Sequence, residues 1–370
     1  MSRIHGLGGV PSPALLFDEQ AIIRNLDRML EIVEGRPELL RPHLKTHKCR
    51  EILEKQLDRG IGSIKCATLA EARLAADTGV PDVLIAYPLV GPNLQRLRSL
   101  IRQYRSTRFS VVVDHPNTVE ALIDSEVESC GVYLDLDVGM HRTGILPGTA
   151  ALELIQSLVG LEPVQFEGIH AYDGHIHEPD LSDRTAEFLS SMGELDAFLS
   201  EISQHGLEVP KIVSGGSPTF AFHARRALDS DRDWQCSPGT PLLWDAGYSE
   251  NFPDLDFGCA ALLLARVISH PQENQLCLDL GHKSVSAENP IARRVRFPEL
   301  GEVTFLSQSE EHLVVSISSE NLISAPIGTE VIGIPYHVCP TVALHEKAYL
   351  IEQGRIGKRC WKIEARNRDW

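Results

Sequence analysis

The sequence predicts a (β/α)8 barrel of the TIM type followed by an antiparallel β domain. Three observations lead to this prediction. Over the first two-thirds of the 370 residues, short apolar runs alternate with helical patterns. These apolar runs number about eight, which is the number of strands in a closed barrel of this type. After about residue 250 the pattern changes to short β-type runs that are separated by turns.

The first region repeats a strand followed by a helix. Its apolar runs predict strands at residues 13–17, 40–44, 63–67, 83–86, 109–113, 131–136, 166–170 and 211–213. Helical spacing of apolar residues predicts helices at 19–33, 50–59, 69–78, 92–102, 118–124, 149–158 and 182–204. Repeated β–α units imply parallel strands joined by right-handed crossovers. A barrel therefore explains the region better than an open sheet.

The second region contains β-type runs without a long helix between them. The runs lie at residues 262–268, 275–280, 302–306, 313–317, 330–334 and 348–352. Short strands separated by turns are typical of an antiparallel sheet. We therefore expect a barrel domain at 10–250 and a C-terminal β domain at 251–370, which residues 1–9 could join.

The composition is that of a globular protein, with 43% hydrophobic and 23% charged residues. Lys and Arg number 35 against 51 Asp and Glu, so the net charge is −16 and a nucleic-acid partner is not expected. No apolar run approaches the ~18 residues of a membrane span, and the first residues lack the apolar core of a secretion signal. We therefore expect a cytoplasmic protein without a membrane partner. The eight cysteines never form a CxxC pair, which favours reduced thiols.

A lysine follows the predicted strand at 40–44. The carboxyl ends of barrel strands carry the chemistry of such folds. A lysine at such an end, here Lys45, can form a Schiff base with a carbonyl compound if desolvation or nearby cations lower its pKa. The neighbouring cations or donors are Arg41, His43, His47 and Lys48. The alternative is a solvated basic loop.

Two loops rich in glycine and hydroxyl groups follow late strands. The first spans residues 214–219 (SGGSPT) and the second spans 237–240 (SPGT). Glycines let backbone N–H groups approach an anion, and the start of a following helix favours its charge. Barrels commonly bind phosphate at late strand ends. A strand-end lysine together with such loops indicates pyridoxal phosphate.

Residues 135–144 (DLDVGMHRTG) form a third motif. Its arginine, Arg142, either points at a cofactor ring or lies on the surface of a loop with two turn glycines. Together, the segments 41–48, 135–144, 214–219 and 337–341 resemble the D-threonine aldolase and D-serine dehydratase family, whose catalytic domain is similar to the alanine racemase barrel. The resemblance spans nearly the whole chain and keeps the order of the motifs.

The resemblance implies a pyridoxal phosphate enzyme in which Lys45 carries the cofactor as a Schiff base. Arg142 would lie near the pyridine ring or its phenolic oxygen, and Tyr172 would line the cofactor. An arginine that faces the ring nitrogen would leave that nitrogen unprotonated. The ring would then be a weaker electron sink. The residues implied to hold or approach the phosphate are Ser214, Gly215, Gly216, Thr219, Gly239 and Thr240.

The pair His337 and Cys339 is a candidate metal site. In a strand, residues i and i+2 project to the same face, so the pair would form half of a tetrahedral zinc site that water or substrate completes. The alternative is a chance pattern with a core cysteine. The resemblance implies a divalent metal, and a thiolate favours zinc over manganese or magnesium. His175 and His177 could also hold a metal, contact the substrate or simply form a polar loop, and the segment 279–284 could face the site or make a turn.

The resemblance implies a lyase of the D-threonine aldolase type, which cleaves a D-3-hydroxy amino acid to glycine and an aldehyde. His47 or a metal-bound water would be the base. The first alternative is a D-serine dehydratase, in which Lys45 removes the Cα proton and ammonia and a keto acid form; the His-x-Cys pattern leans towards this branch. Further alternatives are an amino acid racemase, which needs no metal, and a non-enzymatic single-barrel protein, which would leave the β domain without a role. Because sites of this architecture are completed at a domain interface, we expect a homodimer.

Overall fold

The computed structural model describes residues 4–318 and 325–368 and divides into two units. The barrel unit contains Met29–Lys45 and Ile52–Gly239. The sheet unit contains the N-terminal residues through Arg28, together with Thr46–Glu51 and Thr240–Arg366. The N-terminal portion of the sheet unit is thus longer than the nine residues that the sequence suggested. In the described part of the chain, no helix combines the length and the apolar character of a membrane span.

The helices and strands are numbered in chain order. The helices are α1 (Glu19–Ile32), α2 (Arg50–Leu57), α3 (Leu69–Asp77), α4 (Pro92–Gln103), α5 (Pro116–Asp124), α6 (Thr149–Leu158), α7 (Leu181–Gln204), α8 (Phe220–Asp229), α9 (Ala246–Asn251) and α10 (Val338–Leu344). The strands are β1 (Ala14–Asp18), β2 (Ser63–Cys66), β3 (Asp82–Ile85), β4 (Arg108–Val113), β5 (Cys130–Leu136), β6 (Val164–Ala171), β7 (Lys211–Ser214), β8 (Asp233–Cys236), β9 (Ala261–Ser269), β10 (Gln275–Leu278), β11 (Val295–Arg296), β12 (Thr304–Gln308), β13 (Leu313–Ser316), β14 (Glu330–Pro335), β15 (Lys347–Glu352) and β16 (Arg355–Lys362).

The barrel unit contains seven parallel strands, β2 to β8, and each strand pairs with the next one in the chain. Single bridges from Leu40 to Cys236 and from His43 to Lys65 place the segment 40–43 beside both edge strands of this sheet. That segment is the strand predicted at 40–44, although its pairing is too sparse to count as a regular strand. The predicted fold class is confirmed, with seven regular strands where about eight were expected.

The interior of the barrel is polar at the amino ends of its strands and apolar above them. The apolar layer contains Leu84, Val112, Tyr133 and Val213. At the amino ends, the buried Arg41 guanidinium donates to both carboxylate oxygens of Asp82, at 2.9 and 2.5 Å, and to Gln235 at 2.7 Å. Arg41 is therefore committed to the end opposite the carboxyl ends, and the expectation that it acts as a neighbour of Lys45 is wrong.

The sheet unit is built on nine strands in the order β12-β13-β10-β9-β1-β15-β16, with β14 on β9 and β11 on β14. Its pairings are antiparallel except for β1 with β15, so the predicted antiparallel domain is a mixed sheet. The sequence analysis placed residues 13–17 in the barrel, and this is wrong. Leu15, Leu16 and Phe17 are fully buried, and such an apolar run is typical of a central strand in either sheet.

Candidate active site

Lys45 lies at the carboxyl end of the segment that links the two edges of the barrel sheet. It occupies a single 3-10 turn, Leu44–Thr46, and its side chain is half-buried. Its backbone N–H donates to Nδ1 of His43 at 3.2 Å. Because His43 bridges to Lys65 of β2, the turn stands beside the carboxyl end of that strand. Lys45 therefore lies at the end of the barrel where the sequence analysis expected it.

A second lysine, Lys65 in β2, lies in the same region and was missed by the sequence analysis. Its side chain is 2% exposed, and its Nζ lies 5.4 Å from the ring centroid of Tyr172. Burial lowers the pKa of Lys65 to about 7, and the charge of Lys45 adds to this effect. The charges of Asp173 and Asp135 act to raise the pKa of Lys65. The signal in the sequence was a single lysine within an otherwise buried strand.

The carboxyl ends of β5 and β6 carry a hydrogen-bonded group of polar side chains. Asp135 accepts hydrogen bonds from Nδ1 of His170 at 2.7 Å and from the hydroxyl of Thr143 at 2.8 Å. Burial alone would raise the pKa of Asp135, but the hydrogen bond and charge of His170 hold it below its ordinary value. Nε2 of His170 is buried and has no hydrogen-bond partner among the described residues. This nitrogen is therefore available to a bound molecule.

Tyr172 follows β6 and is held between two glycines and two cations. A Cβ added to Gly174 would lie 2.3 Å from its ring, and one added to Gly216 would lie 3.3 Å from it. The guanidinium carbon of Arg142 lies 5.0 Å from the ring centroid. The structure thus brings Arg142 and Tyr172 together, as the resemblance implied, and adds Lys65 on the same ring.

The two predicted phosphate loops lie side by side in the barrel unit. Gly215 has a φ of +85°, which favours glycine, and the N–H of Gly216 donates to Oγ1 of Thr219 at 3.3 Å, immediately before α8. In the second loop, the N–H of Gly239 donates to Oγ of Ser217 at 3.3 Å. Backbone N–H groups gathered at a helix N-terminus form an arrangement that suits a phosphate.

Ser214 contributes to the first loop through a buried chain of hydrogen bonds. Its hydroxyl lies 2.9 Å from Nδ1 of His223, and Nε2 of His223 lies 2.8 Å from Asp173. All three side chains are fully buried, and a Cβ on Gly215 would lie 2.4 Å from the His223 ring. Burial raises the pKa of Asp173, but the charge of His223 outweighs this effect and lowers it. No motif in the sequence pointed to His223. Thr240, which the resemblance assigned to the phosphate, begins a 3-10 turn in the other unit.

His337 and Cys339 lie at the junction of β14 and α10, so the prediction that they share a strand is wrong. His337 has an extended backbone before the helix, and Cys339 lies in the first helical turn. Burial would lower the pKa of His337, but hydrogen bonds and charges of Cys339 and Glu288 raise it to about 9. The carboxylate of Glu288 contacts Nδ1 of His337, and Oγ1 of Thr46 lies 3.2 Å from the Cys339 sulfur. The two predicted ligands are therefore neighbours, although not by the geometry expected.

His47 is fully buried in the sheet unit, and its Nδ1 accepts the backbone N–H of Cys49 at 3.2 Å. Burial lowers the pKa of His47 to about 3, and the charge of Lys48 adds to this effect. The imidazole is therefore neutral at ordinary pH and is a weak base. Its predicted role as the base stays a prediction.

The remaining candidates are His175, His177 and the segment 279–284, and Nδ1 of His175 is buried without a hydrogen-bond partner among the described residues. Within residues 4–318 and 325–368, no group of three or more His, Cys, Asp or Glu side chains has the arrangement of a metal site. The His175 ring packs against Gly139, where an added Cβ would lie 2.6 Å from Nε2, and Nδ1 of His177 contacts the carbonyl of His175. In the segment 279–284, the Asp279 carboxylate accepts the hydroxyl of Ser12 at 2.5 Å.

These residues fit pyridoxal phosphate and a soft divalent metal. In the barrel unit, a lysine amine, an aromatic ring, two N–H-lined loops and the unpartnered Nε2 of His170 match the aldehyde, ring and phosphate of the cofactor. In the sheet unit, an imidazole and a thiol are the donor types that zinc prefers.

Two family models match the chain. The model for the alanine racemase N-terminal domain matches residues 17–240, and a serine dehydratase domain model matches residues 260–351. A D-threonine aldolase from Arthrobacter sp is 30% identical over 97% of this chain and 94% of its own length. A D-serine dehydratase from Dictyostelium discoideum is 23% identical over 93% of this chain and 94% of its own.

Solved structures agree with these matches. A D-threonine aldolase from Filomicrobium marinum superposes with a TM-score of 0.86 at 26% identity, covering 97% of both chains. The D-threo-3-hydroxyaspartate dehydratase from Delftia sp. HT23 has the same fold, with a TM-score of 0.83 at 21% identity over the full length of both chains. Two further solved structures are variants of a D-threo-3-hydroxyaspartate dehydratase in which a histidine, or a cysteine two positions further on, is replaced by alanine, and the cysteine variant is described as in the metal-free form.

The fold, the strand-end lysine and the sequence matches define a pyridoxal phosphate-dependent lyase with an alanine racemase-like barrel. The chain belongs to the family that contains the D-threonine aldolases and the D-serine dehydratases.

Proposed function

We propose that the protein cleaves D-3-hydroxy amino acids, with D-threonine as the reference substrate, into glycine and an aldehyde. The observation that carries this proposal is that one unit holds Lys45 beside the carboxyl end of β2 and the Arg142–Tyr172 contact beyond the carboxyl ends of β5 and β6. The D-threonine aldolase of Arthrobacter sp, which is 30% identical over nearly the whole chain, supports the aldolase reaction over the dehydratase reaction.

The barrel unit would hold pyridoxal phosphate. Lys45 would bond its aldehyde, Arg142 and Tyr172 would hold its ring, and the loops at 214–219 and 237–239 would bind its phosphate. When bound, the cofactor supplies an electron sink for negative charge on the substrate Cα. The chain of Asp173, His223 and Ser214 keeps the first loop in place.

The sheet unit would hold the divalent metal on His337 and Cys339, with zinc favoured by the thiol and manganese or magnesium less suited. The metal-free cysteine variant of a D-threo-3-hydroxyaspartate dehydratase supports this assignment, because the histidine and cysteine changed in the two variants have the same spacing as His337 and Cys339. A divalent metal supplies a Lewis acid for the substrate hydroxyl. Glu288 would orient His337, as carboxylates commonly do for histidine ligands.

Product analysis tests the reaction. The purified protein, loaded with pyridoxal phosphate and either zinc or manganese, is supplied with D-threonine and with D-serine. Glycine and acetaldehyde from D-threonine are expected. Ammonia and a keto acid would instead establish the dehydratase alternative, which the His-x-Cys pattern favours, and interconversion of enantiomers that is insensitive to chelators would establish a racemase.

The cofactor linkage has a separate test. Borohydride reduction followed by peptide mapping should place the label on Lys45, and Lys45→Ala should lose both the label and the visible absorbance band. Lys55→Ala, on α2, removes a partly exposed lysine and should lose neither. A label elsewhere would contradict the assignment of Lys45.

The homodimer and the cytoplasmic location are proposals that rest on the family architecture and on the composition. Light scattering after size-exclusion chromatography tests the first. A mass of one chain, at concentrations at which the protein is active, would contradict it.

A further inference from the structure

Lys65 has no structural role that accounts for its burial. Its neighbour on the same face of β2, Ser63, joins the polar group at the amino ends of the strands, where its hydroxyl donates to Asp82 at 3.3 Å. Two residues further along, Lys65 faces the interior near the carboxyl ends. Its Nζ makes no hydrogen bond to any residue that the structure describes. A buried amine without such a partner is costly, and a methionine would fill the same space without that cost.

Both anionic neighbours of Lys65 accept a hydrogen bond from another side chain, although Oδ1 of Asp173 has no partner among the described residues. Asp135 accepts from His170, and Asp173 is paired with His223. The groups that face Lys65 are therefore two bonded carboxylates, the aromatic ring of Tyr172, and the cations Lys45 and Arg142. Among the described residues, neither of these carboxylates is hydrogen-bonded to the Lys65 amine.

Lys65 and Lys45 lie near the same strand end in the barrel unit. His43, two residues before Lys45, forms a bridge with Lys65, and the backbone N–H of Lys45 donates to Nδ1 of His43 at 3.2 Å, so the two lysines lie on neighbouring segments. The nitrogen of Lys45 marks where the cofactor aldehyde would bond, and the substrate nitrogen takes that place during the reaction. The substrate Cα is one bond from that nitrogen. An amine on the segment beside Lys45 would therefore be placed to exchange a proton with that carbon.

We propose that Lys65 is a second acid–base residue of the site and donates the proton that Cα receives after carbon–carbon cleavage. This inference rests on the proposed function. When the Cα–Cβ bond breaks, its electron pair remains on Cα. The N–H bond of Lys65 then breaks, a Cα–H bond forms to give the glycine product, and Lys65 is left as a neutral amine. It regains a proton from solvent before the next turnover.

The protonation state of Lys65 suits this role. Because burial lowers its pKa to about 7, the amine is present in both forms at neutral pH. A general acid or base works best when its pKa lies near the working pH. Lys45 remains available to re-form its bond with the cofactor. In this proposal, Lys45 binds the cofactor and Lys65 transfers the proton.

Exchange of the glycine α-hydrogen isolates this step. The wild-type holoenzyme is incubated with glycine in deuterium oxide, and loss of one α-hydrogen is followed by NMR. Lys65→Met should slow the exchange by about 10²–10⁴-fold, the range for loss of a general acid–base group. Lys65→Arg should slow it similarly, because a guanidinium keeps the charge and releases no proton at neutral pH. Lys211→Met, which changes a lysine at the start of β7, should exchange at the wild-type rate.

Two further readouts separate this role from a structural one. Both Lys65 variants should keep the visible cofactor band and the borohydride label on Lys45, and the apo form of Lys65→Met should unfold at the same or a higher temperature. In Lys65→Ala, added methylamine should restore part of the exchange. Wild-type exchange in Lys65→Met, with the band retained, would overturn the inference and leave the proposed function intact. Absence of product and of exchange in the wild type would instead reject the proposed function.

Discussion

Asp173→Ala tests whether the buried chain behind the phosphate loop holds the site together. A carboxylate can only accept hydrogen bonds, so Nε2 of His223 is the donor in the 2.8 Å contact, and Nδ1 of His223 lies 2.9 Å from the hydroxyl of Ser214. Alanine leaves the Nε2 donor without an acceptor in a fully buried position. The perturbation therefore acts on the loop through His223 and does not touch the cofactor phosphate directly.

The structure sets the expected magnitude. Leaving a buried donor without its partner costs about 1–3 kcal/mol, and removing one member of a buried ion pair costs about 3–5 kcal/mol. The contact has an ionised acceptor, since the pKa of Asp173 is held below its ordinary value. We therefore expect a loss of about 3 kcal/mol in the free energy of unfolding, or roughly 150-fold in the unfolding equilibrium. Asp173→Asn keeps an oxygen acceptor of the same shape and should cost about 1 kcal/mol.

Urea unfolding of the apo protein, followed by circular dichroism, measures this change. Asp229→Ala is the matched control in the same unit, because its 2.7 Å ion pair with Arg225 is exposed on α8 and should be worth less than about 1 kcal/mol. Equilibrium dialysis then measures the affinity for pyridoxal phosphate, which should fall for Asp173→Ala and remain unchanged for Asp229→Ala. The reasoning is refuted if the two alanine variants have equal stability and equal cofactor affinity.

Three further predictions follow from the same structure. Gly215→Ala places a Cβ 2.4 Å from the His223 ring at a φ of +85°, so cofactor affinity should fall, whereas Gly193→Ala in α7 meets nothing within 4 Å and should be neutral or stabilising by calorimetry. Cys339→Asp exchanges a soft ligand for a hard one, so the ratio of bound zinc to manganese should fall in metal analysis; an unchanged ratio would argue against this cysteine as a ligand. The half-buried Asp82 and the buried Asp135 have lowered pKa values in the folded state, so their contribution to stability is full above the unfolded pKa of about 3.9 and is lost as the pH falls further. The melting temperature should therefore drop steeply below about pH 4, and less steeply in Asp82→Asn, where that contribution is absent.

Most of the fold could be predicted from the sequence because the spacing of apolar residues identifies strands and helices. The errors of that prediction have identifiable causes. The alternation of apolar runs and helical patterns identified β2 to β7 and most of the second sheet. It placed β1 in the wrong sheet, because three fully buried apolar residues fit either core and partner choice is a long-range property. It also missed α10, since the seven-residue helix is too short to show a helical period.

The candidate site was predicted where residues are close in sequence and missed where the fold brings them together. Motif spacing identified Lys45 and Arg142, whose neighbours are set by strand ends. Lys65, His170 and His223 come from three separate elements and meet only in the folded barrel. The lone lysine inside β2 was the one usable signal among them, because a charge in a buried strand always requires an explanation.

Buried polar groups are hydrogen-bonded within the fold at the amino end of the barrel interior and are less well satisfied at the carboxyl end. This contrast supports a functional role for Lys65. At the amino ends, Arg41 donates three hydrogen bonds to side chains of its own unit, so its charge is satisfied by the fold. At the carboxyl ends, Nε2 of His170 has no hydrogen-bond partner within the described part of the chain, and the Lys65 amine lies over the Tyr172 ring. Both environments are equally buried, so burial alone does not distinguish them. Polar groups that the fold leaves unsatisfied at the carboxyl end, where barrels carry their chemistry, are groups kept for a ligand.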